Sequence, residues 1–238
     1  MNMELDFIRE MFDSIAPKYD FLNHFLSLGQ DVHWRQEMVR AAEIPSKGAV
    51  LDVACGTCDV TMAVKRETGT GATIIGTDFS PGMLALGQQK IKQDKSFQSI
   101  DLVCGNALIL PFQNNRFDAV LIAFGIRNIM DRQGALEQFY KVLKPGGTMI
   151  VLELTAPENK LFRQIYLFYF RRILPSIGTL FSKNSNAYHY LPASVLNFPP
   201  RKKFSKIMTK AGFTDVKWKT MTLGIVTLFA AKKESHKP

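Results

Sequence analysis

Short apolar runs alternate with amphipathic stretches through the middle of the chain, and each run has the length of a strand. The predicted strands are a run that begins at Ala49 and the runs Thr73–Asp78, Ile100–Cys104, Phe117–Ala123 and Thr148–Leu154. Helices are predicted between them, from Val60, from Pro81 to about Lys92 and from Gly134 to Val142. Strands that alternate with helices at this spacing form a parallel sheet with helices on both faces.

Two more apolar runs near the end of the chain, Phe213–Thr222 and Ile225–Lys232, are separated by Gly224. They predict a hairpin-like pair of strands that completes the edge of the sheet. A helix at Arg201–Ala211, closed by Gly212, precedes them. The predicted fold class is therefore α/β, with a mostly parallel, seven-stranded, Rossmann-like sheet.

The chain outside this core carries two helical segments. Residues 4–43 repeat apolar positions at helical spacing and are interrupted near Pro17 and Gly29, which predicts two or three helices. The segment Leu161–Leu174 is aromatic, basic and free of acids, which is typical of an interfacial or lid helix, although a helix buried in the fold fits as well. We divide a single domain, 1–238, into an N-terminal helical cap (1–45), a core (46–157), a helical lid (158–200) and a final helix with two strands (201–238).

Composition sets the class of protein but not its partner. Of the 238 residues, 46% are hydrophobic and 21% are charged, which is typical of a globular chain. The net charge of +9 admits a nucleic acid, an anionic membrane or an acidic substrate. The first residues carry acids and lack the pattern of a signal peptide, and no stretch of about 18 uncharged apolar residues could span a bilayer. The expected location is cytoplasmic.

The turn after the first strand carries the most chemical information. It reads Leu51-Asp-Val-Ala-Cys-Gly-Thr57 and leads into a helix, as in the unit that binds nucleotides at the carboxyl end of a strand. Asp78 ends the next strand, about 20 residues further on, where a carboxylate can accept hydrogen bonds from ribose hydroxyls. Only Gly56 matches the three glycines of a dinucleotide fingerprint, and Asp59 would repel a pyrophosphate. A cationic nucleoside such as S-adenosyl-L-methionine fits better, and a turn without a ligand is the alternative.

The cysteines support a second interpretation of the same turn. Cys55 and Cys58 form a C-x-x-C pair at a strand-to-helix turn, which is a redox motif in other folds, but this interpretation leaves Asp78 unexplained. The chain has three cysteines and four scattered histidines, which suit neither a disulfide scaffold nor a zinc site. We expect no metal.

Polar side chains follow two more of the predicted strands. Asn106 comes after the third strand, where its amide oxygen could accept from an adenine amino group, or where it could simply form a turn. Arg127 and Asn128 come after the fourth strand. Because an open sheet binds ligands in the crevice at the carboxyl ends of its strands, we expect all three to face that crevice.

Taken in order, these motifs resemble those of class I S-adenosyl-L-methionine-dependent methyltransferases. Within that class the chain is similar to the C-methyltransferases of ubiquinone and menaquinone biosynthesis. The likeness extends from about Met11 to Lys232. Its most specific pieces are Met11–Asn23 with Trp34 and Arg35, Leu51–Thr57, Asn106–Phe112, Ala123–Asn128 and Tyr190–Pro192.

The resemblance implies which residues hold the methyl donor. The residues expected to contact it or to shape its site are Asp52, Gly56, Thr57, Asp78, Asn106 and Ala107. Two positions depart from the family pattern, since Cys58 stands where the family usually has glycine and Ala123 where some relatives use serine. The geometry of the turn and one hydroxyl contact to the donor are therefore open.

The implied reaction transfers a methyl group to a ring carbon of a polyprenyl quinol. A phenol with a pKa of about 10 is rarely ionised at neutral pH, so a cation or a base must help to remove the proton. Arg127 is the first candidate, because it can stabilise the phenolate or orient a water that takes the proton. Asn128 would position the ring oxygen. Tyr19, His24 and His33 are alternative proton acceptors or substrate contacts, although a purely structural role is favoured for each.

The expected substrate is demethylmenaquinol, which would give menaquinol, with methylation of 2-polyprenyl-6-methoxy-1,4-benzoquinol as the alternative. Either tail lies in the bilayer, so the aromatic, basic segment and the positive charge predict peripheral contact with the inner face of the membrane. No nucleic acid partner is expected, because the residues after the fourth strand lack an Asn/Asp-Pro-Pro-aromatic element. A non-catalytic module in a quinone-synthesising assembly stays open, as does the choice between monomer and homodimer.

Overall fold

The structure, a computed structural model, describes residues 3–169, 172 and 186–235, which contain one seven-stranded sheet. The strands are β1 Ala49–Val53, β2 Thr73–Asp78, β3 Ile100–Cys104, β4 Phe117–Ala123, β5 Leu143–Leu154, β6 Thr214–Met221 and β7 Val226–Lys232. Their order in the sheet is β3-β2-β1-β4-β5-β7-β6. Strands β1 to β5 run parallel, whereas β7 is antiparallel to both of its neighbours. The predicted fold class and the predicted pair of strands at the edge are confirmed.

The strand order changes direction between β1 and β4, which places the turns that follow these two strands side by side. The approach is close. A Cβ added to Gly125, just past β4, would lie 2.7 Å from the Cβ of Ala54, just past β1. A larger residue at Gly125 would therefore push the two strand ends apart at the crevice.

Helices cover both faces of the sheet. The helices of the described residues are α1 Met3–Leu26, α2 Gln30–Ala41, α3 Asp59–Thr68, α4 Pro81–Gln93, α5 Arg132–Val142, α6 Lys160–Phe168, α7 Asn186–Leu196 and α8 Arg201–Lys210. Successive residues of β4 point to opposite faces. Leu121 packs in the cluster that contains Met38 of α2, and Val120 packs in the one that contains Phe139 of α5 and Phe204 of α8.

The prediction of a helix break near Pro17 was wrong, because α1 continues through that residue to Leu26. A proline inside a helix removes one backbone hydrogen bond. The helix keeps its path because Asp13 and Asp20, on either side of Pro17, are both hydrogen-bonded to the core. The break predicted near Gly29 is confirmed, since this residue has a φ of 76° and precedes α2.

Strand β5 begins earlier than predicted, at Leu143 rather than at Thr148. Leu143 pairs with Phe117, and the register then shifts before Ala119 pairs with Thr148. Gly146, with a φ of 79°, lies in the stretch where the extra residues are accommodated. The Lys-Pro-Gly-Gly sequence at 144–147 is therefore an irregularity within a longer strand.

The N-terminal helix and the segment after β5 meet in a separate helical layer. Leu22 of α1, Tyr166 of α6 and Val195 of α7 form a buried cluster of their own. The exposed apolar side chains of α6 are Leu161, Ile165 and Phe168. The rest of the predicted segment, from 170 onward except 172, lies outside the described residues. None of the helices in the described part of the chain has the length and apolar character needed to cross a bilayer.

Candidate functional site

The turn after β1 is joined to the end of β2 by hydrogen bonds. Cys55 N–H donates to Thr77 O at 3.0 Å, and Gly56 N–H donates to Asp78 Oδ2 at 2.8 Å. The other carboxylate oxygen of Asp78 accepts from Ser80 N–H at 2.9 Å. Both oxygens are therefore oriented by backbone donors. Burial raises the pKa of the Asp78 carboxyl above its ordinary value, although these backbone donors act in the opposite direction.

Asp78 lines a cavity of about 190 Å³, which we call the first cavity. Its wall includes the turns that follow β1, β2, β3 and β4, represented by Gly56, Asp78, Asn106 and Phe124. One side of α1, with Tyr19, closes it. Four strand ends converge on this space, which is where an open α/β sheet binds its ligand.

An acidic residue of α1 fastens this helix to the start of α4. Asp13 Oδ1 accepts from Ser80 Oγ at 2.5 Å and from Gly82 N–H at 3.0 Å. A carboxylate at the N-terminus of a helix also interacts favourably with the helix dipole. Because α1 lines the first cavity, these bonds hold its cover in place.

A second acidic residue, Asp20, fastens the same helix to the turn after β1. It accepts from Thr57 Oγ1 at 2.5 Å and from Lys90 Nζ at 2.8 Å. Lys90 also donates to Asp59 Oδ1 at 2.5 Å, and Arg35 Nη2 lies 3.3 Å from the other oxygen of Asp59. Sequence patterns did not single out Asp13 or Asp20, because acids on an amphipathic helix are ordinarily solvated.

The other residues expected at the donor site occupy different positions. Asn106 and Ala107 line the first cavity, and Asn106 Oδ1 accepts from Leu108 N–H at 2.9 Å, which makes it a turn former as well. The hydroxyl of Thr57 is directed to α1, and in the described structure Thr57 is not part of the cavity wall. Asp52 is 1% exposed and accepts from the hydroxyl of Thr61 at 2.6 Å, so that it anchors α3 behind the turn.

Asp52 is expected to make stability depend on pH. Burial raises the pKa of its carboxyl to about 7. The folded state then keeps a proton that the unfolded state loses above about pH 4, so stability should fall as the pH rises from about 4 to about 7. We expect Asp52→Asn to flatten this decline and to raise the melting temperature at about pH 8, with little change near pH 4. Thermal unfolding at both pH values tests this, with the exposed Asp101→Asn as control, and an unchanged decline in Asp52→Asn would contradict it.

A second cavity, of about 480 Å³, adjoins the first. Tyr19 and Phe124 line both cavities and so form the partition between them. The wall of the second cavity is mostly apolar, with Leu26, Trp34, Phe162, Tyr166, Leu191 and Ile225 among its residues. Its lining also includes Leu28 and Leu223, which are 86% and 63% exposed and mark its opening to solvent.

Arg127 lines the second cavity and forms a buried ion pair with Glu153. Its Nη1 donates to Glu153 Oε1 at 2.9 Å, and its backbone N–H donates to Oε2 at 3.0 Å. Nη1 also donates to Phe124 O, and Nε donates to Ser194 Oγ at 3.3 Å. The hydrogen bonds that the Arg127 side chain makes with the described residues use Nε and Nη1 but not Nη2. The sequence analysis missed Glu153, although a lone carboxylate in the apolar run of β5 indicates a buried partner.

Asn128 lines the first cavity, and Tyr19 lies between the two cavities. Asn128 Oδ1 accepts from the hydroxyl of Tyr190 at 3.2 Å. Burial raises the pKa of the Tyr19 phenol, an effect that outweighs the opposing influence of Arg127. Tyr19 is therefore protonated at neutral pH and can donate a hydrogen bond.

The two histidines considered as proton acceptors lie elsewhere. His24 Nδ1 is 3.2 Å from Asp31 Oδ1, and the His24 side chain is 63% exposed. His33 is exposed to solvent. Neither histidine lines the first or the second cavity. This placement favours the structural role that the sequence also allowed.

The sheet order, the antiparallel β7 and the crevice after β1 define the fold of class I S-adenosyl-L-methionine-dependent methyltransferases. A solved SAM-dependent methyltransferase from Thermotoga maritima superposes with a TM-score of 0.63, covering 95% of this chain and 99% of that one at 17% identity. At such an identity the likeness shows the fold alone.

The chain belongs to the ubiE/COQ5 methyltransferase family, whose model matches residues 1–233. It is 45% identical over 226 residues to the ubiquinone/menaquinone biosynthesis C-methyltransferase UbiE of Geobacter sulfurreducens, covering 95% of this chain and 88% of that protein. It is 37% identical over 226 residues to the demethylmenaquinone methyltransferase of Staphylococcus saprophyticus, covering 95% of this chain and 96% of that one. The family predicted from the sequence motifs is confirmed.

Proposed function

We propose that this protein transfers the methyl group of S-adenosyl-L-methionine to a ring carbon of a polyprenyl quinol in respiratory quinone biosynthesis. The observation that carries the proposal is the pair of cavities that meet at Tyr19 and Phe124. The first cavity contains the carboxylate of Asp78, which backbone donors orient, and the amide of Asn106, and a nucleoside requires such groups. The other has the apolar wall that a quinol ring and the start of its tail require. The names of the two relatives support the same reaction.

The first cavity suits the methyl donor. Asp78, with both oxygens oriented by the backbone, would accept the ribose hydroxyls. Asn106 and Ala107 would flank the adenine. Asp52 and Thr57 would contribute indirectly, because Asp52 anchors α3 and Thr57 holds α1 over the bound donor.

The protein's chemical task is to make the ring carbon nucleophilic, since a sulfonium methyl is already an activated electrophile. Loss of a phenolic proton achieves this by moving charge onto the ring. Glu153 neutralises Arg127 overall, so we assign Arg127 the role of directing Nη2 to the phenolate oxygen, or to a water that takes the proton, rather than that of a free positive charge. Asn128 and Tyr19 would orient the same oxygen from the side of the donor.

We propose demethylmenaquinol, rather than the demethylated benzoquinol, as the methyl acceptor. The test offers labelled S-adenosyl-L-methionine with demethylmenaquinol, or with the demethylated benzoquinol, in detergent under reducing conditions. We expect label in the lipid extract with demethylmenaquinol. Label with the benzoquinol alone would move the protein to ubiquinone biosynthesis. Label in neither quinol, despite bound donor, or label in RNA or DNA would contradict the proposal.

The opening of the second cavity is where we place contact with the membrane. The tail of the quinol lies in the bilayer, and the exposed Leu28 and Leu223 lie at this opening. We expect Leu28→Asp combined with Leu223→Asp to reduce co-sedimentation with anionic liposomes and to raise the KM for a long-tailed quinol, because burial of both side chains in lipid would be lost. The KM for a short-tailed analogue should change little.

The control for this prediction is Ile109→Asp. Ile109 is 76% exposed and is not among the described residues that line the second cavity. An equal loss of liposome binding in Ile109→Asp and in the double variant would show that the opening has no special role. The bound protein would then be held by charge alone, and a rise in salt concentration should release it.

A further inference from the structure

Cys55 and Cys58 are the two ends of the turn that carries Gly56. Cys58 N–H donates to Cys55 O at 2.9 Å. A turn closed in this way brings its first and fourth Cα atoms within about 7 Å of each other. A disulfide requires a Cα separation of about 4.4 to 6.8 Å. The backbone of the reduced turn therefore already holds the two cysteines at a distance compatible with a disulfide.

The two sulfur atoms converge on the same point. Cys55 Sγ lies 4.0 Å and Cys58 Sγ 3.9 Å from Gly56 O, so both thiols are directed to the same carbonyl oxygen. Glycines face both sulfurs. A Cβ on Gly76 of β2 would lie 3.0 Å from Cys55 Sγ, and a Cβ on Gly87 of α4 would lie 2.3 Å from Cys58 Sγ. The space that accommodates both sulfurs thus depends on the absence of two side chains.

Cys58 occupies a conformation that does not favour cysteine. Its φ is 72°, in the left-handed region that suits glycine. Packing alone gives no reason to prefer a strained cysteine, since Gly87 must lack a side chain to make room for it. A chemical role for the thiol would supply that reason.

We infer that Cys55 and Cys58 form a reversible disulfide that weakens binding of the nucleoside ligand in the first cavity, an inference that rests on the function proposed above. The oxidant is a hydroperoxide. With hydrogen peroxide, the O–O bond breaks, one S–S bond forms, and the two thiol hydrogens leave in two molecules of water. The disulfide is reopened by a dithiol reductant, which is itself oxidised.

The effect on the ligand follows from the position of Gly56 between the two cysteines. Bonded sulfurs are about 2.0 Å apart, closer than any two non-bonded sulfur atoms, so the disulfide pulls the ends of the turn together. Gly56 lines the first cavity and donates to Asp78 at 2.8 Å. Movement of this peptide group lengthens that bond and releases one oxygen of the carboxylate on which the ligand depends.

The reduced pair reacts slowly while the turn is closed. The neighbouring thiol of Cys58 and burial together raise the pKa of the Cys55 thiol well above its usual range. The thiolate is the form that reacts, so the pair stays reduced unless an oxidant persists. Cys104 is exposed and would react first, and it must be removed before the pair is studied.

The experiment uses the full chain with Cys104→Ser, treated with hydrogen peroxide and then freed of it. Mass spectrometry should show the loss of two hydrogens and a cross-linked 55–58 peptide. The dissociation constant for S-adenosyl-L-homocysteine, measured by calorimetry, should rise at least about fivefold on oxidation. It should return to its first value after dithiothreitol. The matched control adds Cys58→Gly, which should form no cross-link and bind equally before and after peroxide.

The possible results distinguish failure of this inference from failure of the proposed function. If peroxide leaves both thiols free, the protein is equilibrated in glutathione buffers from fully reduced to fully oxidised, and thiols that stay free throughout overturn the inference. A cross-link that leaves the dissociation constant unchanged overturns the link between the disulfide and the cavity. Failure of the untreated protein to bind S-adenosyl-L-homocysteine would instead count against the proposed function, while the mass measurement would still decide whether the disulfide forms.

Discussion

Arg127→Met is expected to lower both the stability of the protein and its rate of methyl transfer. Glu153 is fully buried, and removal of its partner would leave an unpaired carboxylate in the core. Breaking a buried ion pair in this way costs about 3 to 5 kcal/mol of unfolding free energy. Loss of a donor to a developing oxyanion lowers kcat by about 100- to 1,000-fold. Urea denaturation and the labelled-methyl assay measure the two effects.

The double variant Arg127→Met with Glu153→Met separates these two effects. Replacing both members of a buried pair by apolar residues of similar size is often neutral for stability. We expect the double variant to recover most of the lost unfolding free energy but none of the lost rate. Recovery of both would show that Arg127 only supports the fold and would contradict its proposed place beside the substrate oxygen.

Asp78→Ala is expected to weaken binding of S-adenosyl-L-methionine about 100-fold or more. Each hydrogen bond to a charged acceptor is worth about 1.5 to 3 kcal/mol, and the proposed pose places two ribose hydroxyls on this carboxylate. The variant also loses the acceptor of Gly56 N–H and Ser80 N–H, so the turn itself is loosened. Calorimetry with S-adenosyl-L-homocysteine measures the change, and thermal unfolding establishes that the variant is folded.

Asp101→Ala is the matched control for Asp78→Ala, because Asp101 is an exposed carboxylate on the neighbouring strand β3. It should bind as the parent does. Burial raises the pKa of Asp78, and protonation removes an acceptor, so the affinity of the parent should fall as the pH is lowered toward that pKa. Asp78→Asn should lack this dependence. If Asp78→Ala binds with the affinity of the parent, the Asp78 carboxylate is not part of the donor site.

Local pattern was sufficient for the strands at the centre of the sheet. The predicted strand Phe117–Ala123 agrees with β4 at both ends, because a central parallel strand is buried on both faces and appears as an unbroken apolar run. The prediction was wrong at Pro17 and placed the start of β5 five residues too late, at Thr148. In both places a distant contact overrides a local signal, namely the hydrogen bonds of Asp13 and Asp20 and the pairing of Leu143 with Phe117.

Some residues of the candidate site could likewise be predicted from the sequence, and others could not. Asp78, Asn106 and Asn128 were predictable because the carboxyl ends of parallel strands meet at one edge, so that position in a strand fixes position in space. The role of Glu153 as partner of Arg127 was not predictable, since the two are joined only when β5 lies beside β4. The same holds for Thr57, which sequence likeness placed on the donor and the structure directs toward Asp20.

By itself, therefore, the sequence determined the fold class, the family and the edge of the sheet at which the candidate site lies, because strand periodicity and the motif after β1 are local properties of the chain. Only the tertiary structure decided that α1 covers the first cavity and that Tyr19 and Phe124 separate it from the apolar second cavity. It also decided that Glu153 neutralises the charge of Arg127. The physical reason is that periodicity records which face of an element is buried but not what it is buried against. That partner is chosen when segments far apart in the chain pack together.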